Sequence, residues 1–372
     1  MRYYVIAGEA SGDLHGSNLV KELKHLDRNA VLRGWGGDKM ETNGVEIVKH
    51  YKDLAFMGFV EVIKNLSTIF KNLSFSKEDI LQFRPDVLIL IDYPGFNLRI
   101  AKWAHQKGIK VVYYISPQIW AWKESRVKGI KKYVDKMLVI LPFEQAFYKK
   151  WEYEAVYVGH PLVQVIEDFK KDSNLNKLVE FGEHEKIIAL LPGSRKQELE
   201  VKLPIMLKVA EHFSEFTFVI AKAPGISNEF YDGFISAYDN VKTVSDKTYQ
   251  LLGRATAALV TSGTATLETA LFNVPQVVCY KGNKLSYEIA KRIITIKYIS
   301  LVNLIMDREV VKELIQDDLT VNNLVVELNK ILFDAENIKR IKQSYHELHS
   351  ILSEGGDASK RAADIIYNNF SN

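Results

Sequence analysis

A single cysteine, Cys279, occurs among 372 residues. One thiol excludes an intramolecular disulfide framework and any multi-cysteine metal site, and it agrees with a reducing compartment. No run of about 18 apolar residues occurs, so no segment reads as a membrane span. The apolar stretch after Met1-Arg2 is too short for a signal-peptide core, and it ends in a glycine-rich loop rather than a cleavage site. Excess charge of one sign is also lacking: a formal net charge of +3 does not mark a nucleic-acid binder. Internal repeats, low-complexity tracts and Gly/Ser linkers are missing as well. What is there is globular in composition, 47% hydrophobic and 26% charged. The length exceeds one core of ordinary size and predicts two domains.

Short apolar runs alternate with longer amphipathic ones, the pattern of βαβ units around a parallel sheet. Strands are predicted at 3–7, 30–34, 45–48, 86–91, 110–115, 136–141 and 155–158, with helices near 13–26, 60–72, 97–107, 123–133 and 143–151. The rhythm restarts with strands at 187–191, 216–221, 241–244, 256–260 and 276–280. Helices fit near 196–213, 247–253, 264–272 and 284–294, and from about 308 onward the chain reads as helix only. Pro161 cannot continue a ladder, and the charged segment 167–186 is poor in strand signals. The expected division is therefore 1–165 and 166–344. The tail, about 345–372, either packs back on the first domain or is exchanged with a second copy in a homodimer. Two doubly wound sheets facing each other would leave a cleft at the carboxyl ends of their strands.

In the second half, LLPGSR (190–195) and TSGTATLE (261–268) each join an apolar strand to a helix. Gly193 permits a tight turn, and the free N–H groups at the helix start favour an anion. Ser194 belongs to the same turn, and Arg195 adds a forked cation suited to phosphate oxygens. Ser262, Gly263 and Thr264 repeat the arrangement with hydroxyl donors. Glu268, one turn into its helix, either accepts the hydroxyls of a ribose or balances the helix dipole. Neither loop is GxxxxGK[ST], which argues against a Walker-type ATPase.

In the first half, GEASGD (8–13) follows the first strand. Gly8 and Gly12 would let a ligand approach, while Ser11 or Asp13 could cap the next helix. Glu9 and Asp13 would repel phosphate, so the loop suits sugar hydroxyls, and it is not GxGxxG. Asp92, in IDYPGFN (91–97), ends the most apolar strand. It is a candidate general base, with a turn cap before Pro94 as the structural alternative. Trp120 and Trp122 either stack on a sugar, touch an acyl chain or pack in the core. Lys123, Arg126, Lys128, Lys131 and Lys132 follow, as a solvated helix face or an attraction for an anionic surface. Segment 56–73 carries Phe59, Val62, Ile63, Leu66, Phe70 and Leu73 at helical spacing, with Met57 and Ile69 beside them. Such a helix either faces a core or lies in a membrane interface.

In order along nearly the whole chain, GEASGD, LAFMGFVEV (54–62), PDVLILIDYPGFN (85–97), YYISPQIWAW (113–122), GHPL (159–162), LLPGSR, SGTATLE, ISLVNLI (299–305) and REVVKEL (308–314) resemble the lipid-A-disaccharide synthases. These are metal-independent, inverting glycosyltransferases of the GT-B type, with two Rossmann-like domains. The resemblance implies no cofactor and no metal. It implies UDP-2,3-diacylglucosamine as donor, 2,3-diacylglucosamine 1-phosphate (lipid X) as acceptor, and peripheral attachment to the cytoplasmic face of the inner membrane. By position, it makes Asp92 the base that deprotonates the acceptor. Gly193, Ser194, Arg195, Ser262, Gly263, Thr264, Glu268 and Asn303 would hold the UDP donor. Gly8, Glu9, Ser11, Gly12, Asp13 and Trp120 would meet the acceptor or sugar. Met57, Phe59, Val62, Ile63, Leu66 and Phe70 would form the lipid-facing patch. Gly95 stands where some members have an acidic residue, and His15 is an alternative base.

Overall fold

The computed structural model describes residues 1–54, 66–172, 181–182, 184–283, 287–288 and 296–371. The chain divides into two compact units, Met1–Pro161 with Leu352–Asn372, and Leu162–Ile351.

Among the described residues, the first unit holds seven strands, β1 (Arg2–Ala7), β2 (Val31–Gly36), β3 (Glu46–His50), β4 (Val87–Ile91), β5 (Lys110–Tyr114), β6 (Lys136–Val139) and β7 (Ala155–Tyr157). All neighbours are parallel, in the order β3-β2-β1-β4-β5-β6-β7. The five residues of β4, Val-Leu-Ile-Leu-Ile, are all buried. An uninterrupted apolar run is what a strand covered on both faces requires, and each such side chain stabilises by about 1.5–3 kcal/mol when buried. The helix Ala10–Leu26 buries Leu19, Val20 and Leu23 in this core. Against it lies the helix Ala358–Phe370, whose Ala358, Ala362, Ala363 and Ile366 enter the same core.

The second unit holds β8 (Ile187–Leu191), β9 (Thr217–Lys222), β10 (Val241–Ser245), β11 (Ala255–Thr261), β12 (Gln276–Tyr280) and β13 (Lys312–Ile315). Its order is β10-β9-β8-β11-β12-β13, again parallel throughout. Strand β13 corrects the helix-only reading of the tail. Its sequence, Lys-Glu-Leu-Ile, is half charged, and only Leu314 is buried. An edge strand has one neighbour and little apolar patterning to announce it. Short helices at Asp38–Thr42, Asn228–Ile235 and Leu301–Met306 also lack a sustained period and were not predicted. The helix expected near 60–72 is described over Leu66–Phe83, because the amphipathic pattern runs on through the charged segment after Leu73. The helix predicted at 284–294 lies outside the described residues except for Tyr287 and Glu288.

In both sheets the order of connection reverses beside the first strand. The reversal falls between β1 and β4 in one unit and between β8 and β11 in the other. Ala7 pairs with Ile91, and Leu191 pairs with Val260. The loops GEASGD and DYPGFN therefore leave one sheet edge side by side, as do PGSR and SGT. Ligands of open α/β sheets bind at such reversals.

Candidate functional site

At the β1/β4 reversal, Asp92 and Tyr93 adopt consecutive left-handed conformations, with φ of 44° and 50°. For non-glycine residues this is strained and must be held by its surroundings. Buried Asn97, on the helix Pro94–Gln106, donates its side-chain amide to the carbonyls of Ile91 (3.2 Å) and Asp92 (2.8 Å). Tyr113 donates its hydroxyl to the Asp92 carbonyl at 2.6 Å, and the Asp92 N–H donates to the Tyr114 carbonyl. The turn fixes the backbone of Asp92 at the end of a buried strand. Burial, reinforced by the negative charge of Glu9, raises its carboxyl from the usual carboxylate range to about 6. Asp92 is no cap for the following helix, whose N-cap is Tyr93, without a side-chain cap bond.

The neighbouring GEASGD loop departs from expectation. Neither Ser11 nor Asp13 caps the helix Ala10–Leu26; its N-cap is Glu9, without a side-chain bond. Asp13 is buried, and its two oxygens accept from the N–H groups of Gly37 (2.7 Å), Met40 (3.1 Å) and Lys39 (3.2 Å). It caps the helix Asp38–Thr42 instead, so its carboxylate is spent on the fold rather than on a sugar hydroxyl. Gly8 makes room for protein, not ligand: a Cβ there would lie 2.4 Å from the Tyr93 ring, and one at Gly12 would lie 3.2 Å from the Ala7 Cβ. Glu9 and Ser11 are exposed. His15 is largely buried, its Nδ1 has no hydrogen-bond partner, and burial lowers its imidazole to about 4.

Trp120 is packed. Its ring meets Phe143 edge-on at 4.9 Å, and its indole N–H donates to Glu144 Oε1 at 3.1 Å. Glu144 also accepts from the Leu141 N–H, and burial raises its carboxyl to about 7. Tryptophan buried with its N–H satisfied is a core residue, so the stacking platform predicted at Trp120 is not present there. Trp122 is exposed beneath the Arg126 guanidinium, 4.6 Å from the ring centre.

In the second unit, PGSR turns at Gly193, whose φ of 117° excludes most side chains, and opens the helix Lys196–Lys208 with Arg195 as N-cap. Ser194 is exposed, and Arg195 has a side chain 68% exposed with only a loose approach to Glu198, 3.8 Å. Gly263, with φ 135°, is the N-cap of the helix Thr264–Leu271; Gly263 and Thr264 are exposed. Ser262 donates its hydroxyl to the Ile299 carbonyl at 2.9 Å. Two helix starts and a forked cation thus gather at the β8/β11 reversal, an arrangement suited to a phosphate-bearing ligand. Glu268 is partly buried on the second helix, and burial raises its carboxyl.

Asn303 has no such freedom. Fully buried, it donates to the Val311 carbonyl and to Glu313 Oε1, both at 2.9 Å, and accepts from the N–H groups of Val310 (2.8 Å) and Val311 (3.0 Å). All four hydrogen-bonding positions of its amide are occupied within the protein, which gives it a structural role. Glu313, on β13, also accepts from the backbone of Ile299 and Ser300. The chain of contacts ends at Ser262. Sequence reasoning missed Glu313 and Asn97 as site residues. Both lay inside recognised motifs.

Of the apolar segment, Met57, Phe59, Val62 and Ile63 lie outside the described residues, and Leu66 is described only as the first residue of its helix. Leu73 is buried, whereas Phe70 is 61% exposed, and Phe75 and Leu81 on the same helix are exposed too. No helix among the described residues is long and apolar enough to cross a membrane.

The chain is similar to known proteins over nearly its whole length. A family profile described as lipid-A-disaccharide synthetase matches residues 3–367. The lipid-A-disaccharide synthase of Geobacter metallireducens is 37% identical over 370 residues, covering 98% of this chain and 96% of that protein. That of Syntrophus aciditrophicus is 38% identical, covering 96% and 95%. Among solved structures, a UDP-GlcNAc 2-epimerase from Neisseria meningitidis bound to UDP-GlcNAc superposes with a TM-score of 0.69 at 12% identity, covering 99% of this chain and 100% of that one. The glycotransferase of kitacinnamycin gives 0.66 at 14% identity, covering 99% of each. These two likenesses establish the fold of GT-B glycosyltransferases and related epimerases.

Proposed function

Since the chain belongs to the lipid-A-disaccharide synthase family, we propose that it performs that synthesis with Asp92 as its general base and the two loops of the second unit as its donor site. The enzyme is a glycosyltransferase of lipid A formation. The donor is UDP-2,3-diacylglucosamine and the acceptor 2,3-diacylglucosamine 1-phosphate. The acceptor 6-hydroxyl gives its proton to Asp92 as its oxygen bonds to C1 of the donor sugar. The C1–O bond to phosphate breaks, and its electron pair leaves with UDP. One displacement converts the α-linked donor into a β-1,6 disaccharide 1-phosphate.

The observation that carries this reading is the braced turn at Asp92. It holds a carboxylate raised to about 6, ionised at neutral pH yet basic enough to take a proton. His15, lowered to about 4, is the weaker base. Arg195, Gly263, Thr264, the backbone of Ser262 and the two helix starts would counter the charge developing on the diphosphate. Glu268 would accept from the ribose. Glu9 and Ser11 remain the exposed polar members of their loop for the acceptor. Exposed Phe70, within the apolar segment 56–73, favours peripheral association with the cytoplasmic face of the inner membrane.

The test mixes purified protein with the diacylated UDP-sugar and lipid X and follows UDP release and disaccharide formation. UDP release dependent on lipid X is expected. Release that ignores lipid X, or conversion of the UDP-sugar alone, would overturn the reading.

A further inference from the structure

Lys202 lies on the helix Lys196–Lys208 in a stretch of alternating charges, where a solvent-facing cation would be ordinary. It is instead 2% exposed. Lysine is almost never buried so completely unless paired. Its Nζ donates to the hydroxyl of Thr261, the last residue of β11 and the one before the SGT turn. The same Nζ pairs with Glu198 Oε2 at 3.3 Å, and Glu198 Oε1 stands 3.8 Å from the Arg195 guanidinium. Both groups pack under the PGSR turn: a Cβ on Gly193 would lie 2.7 Å from Glu198 Oε2 and 3.4 Å from Lys202 Nζ. One ammonium therefore touches the base of each loop of the donor site.

The arrangement contains a competition. Arg195 is the exposed cation of the site, and Glu198, one turn away on the same helix, is the nearest carboxylate able to neutralise it. Left alone, the pair would close to a bidentate contact, the geometry that guanidinium and carboxylate prefer. That contact would occupy the fork needed for phosphate. Here the approach stays loose, and Glu198 is tied from below.

We propose that Lys202 is a positioning residue for nucleoside diphosphate binding, which sequesters Glu198 and so keeps the Arg195 guanidinium available to the diphosphate. The inference rests on the donor-site reading above. It assigns Lys202 no contact with substrate. The trio Arg195, Glu198 and Lys202 carries one net positive charge; loss of the ammonium makes it neutral and releases a carboxylate toward the phosphate position.

The experiment measures UDP binding by calorimetry on full-length R195A, K202M, K202R, E198Q and the double variant K202M/E198Q, with thermal melts alongside. Arg195→Ala controls for the site itself: if it leaves UDP affinity unchanged, the donor-site reading falls. Given a weakened R195A, K202M is expected to weaken UDP about tenfold, the scale of one charged contact. K202M/E198Q is expected to recover to within about threefold of wild type, because the competing carboxylate is gone. K202R, which keeps the cation, should stay closer to wild type than K202M. Wild-type affinity in K202M overturns the proposal, as does a double variant as weak as K202M, which would make Lys202 structural only. If K202M does not fold, E198Q decides: unchanged or tighter UDP binding supports sequestration, and weaker binding overturns it.

Discussion

The hydroxyl of Tyr249 donates to Oε1 of Glu268 at 2.9 Å. Tyr249 stands on the helix Thr248–Arg254, and its ring packs with Phe169 and Phe272. The bond fixes one oxygen of the carboxylate and orients the other. Tyr249→Phe should leave the fold within about 1 kcal/mol of wild type, the net worth of one hydrogen bond. KM for the UDP-sugar should rise about three- to tenfold with kcat nearly constant, as for loss of binding shared by ground and transition states. Steady-state kinetics at saturating acceptor decide it; a fall in kcat alone would show that Glu268 does more than hold the donor.

The raised carboxyl of Asp92 gives a pH signature. The base must be ionised, so kcat/KM should fall as pH drops through about 6. A His15 base would instead keep activity down to about 4. Glu9→Gln, which removes a negative charge, should move the acidic limb downward.

The same group makes a claim about stability. A carboxyl raised in the folded state favours folding when protonated, and that advantage disappears as pH climbs from about 4 through about 6. At pH 7.5, Asp92→Asn should therefore be inactive yet more stable, by roughly 1–3 kcal/mol. Urea melts at pH 4 and 7.5 would measure it; a stabilisation equal at both pH values would contradict the assignment.

Asn303 gives an opposite expectation. Removing an amide whose four positions are filled should cost about 2–4 kcal/mol in Asn303→Ala, by leaving buried backbone groups unpaired. UDP binding should weaken only through the Ser262 contact. Chemical denaturation is the check. Unchanged stability with lost UDP binding would return Asn303 to the role of a ligand.

Gly8 and Tyr93 supply a further test. An alanine Cβ at position 8 must displace the Tyr93 ring and with it the strained turn. Gly8→Ala should lower kcat at least about tenfold, since small misplacements of a base are costly, while UDP affinity stays unchanged. Wild-type turnover would show that the turn tolerates the shift.

The central parallel-sheet strands were legible because they are short apolar runs. The binding loops were legible because small residues follow those runs directly. Strand β13 was not, since its neighbour lies on one side only and half its residues are charged. The partners of Asp13, Trp120 and Asn303 were not legible for a shared reason. Each is a polar or amphipathic residue inside a motif, and its partners, Gly37, Glu144 and Val311, lie elsewhere in the sequence. Local pattern shows where polar groups are, but not whether the fold has already satisfied them. Lys202 was hidden in the reverse way, as an ordinary charge on a helix until Thr261 is brought against it.

The helix Ala358–Phe370 belongs to the core of the first unit, against the helix Ala10–Leu26. Gly159 is packed so tightly on Gly355 that a Cβ there would lie 2.0 Å from the Gly159 nitrogen. On the ribosome this inverts the order of assembly. The second unit, residues 162–351, is complete in sequence before the first unit has its last helix. The domain synthesised first is finished last, and the face of its helix Ala10–Leu26 that the helix Ala358–Phe370 covers must wait, unsealed, for residues 358–370 to emerge.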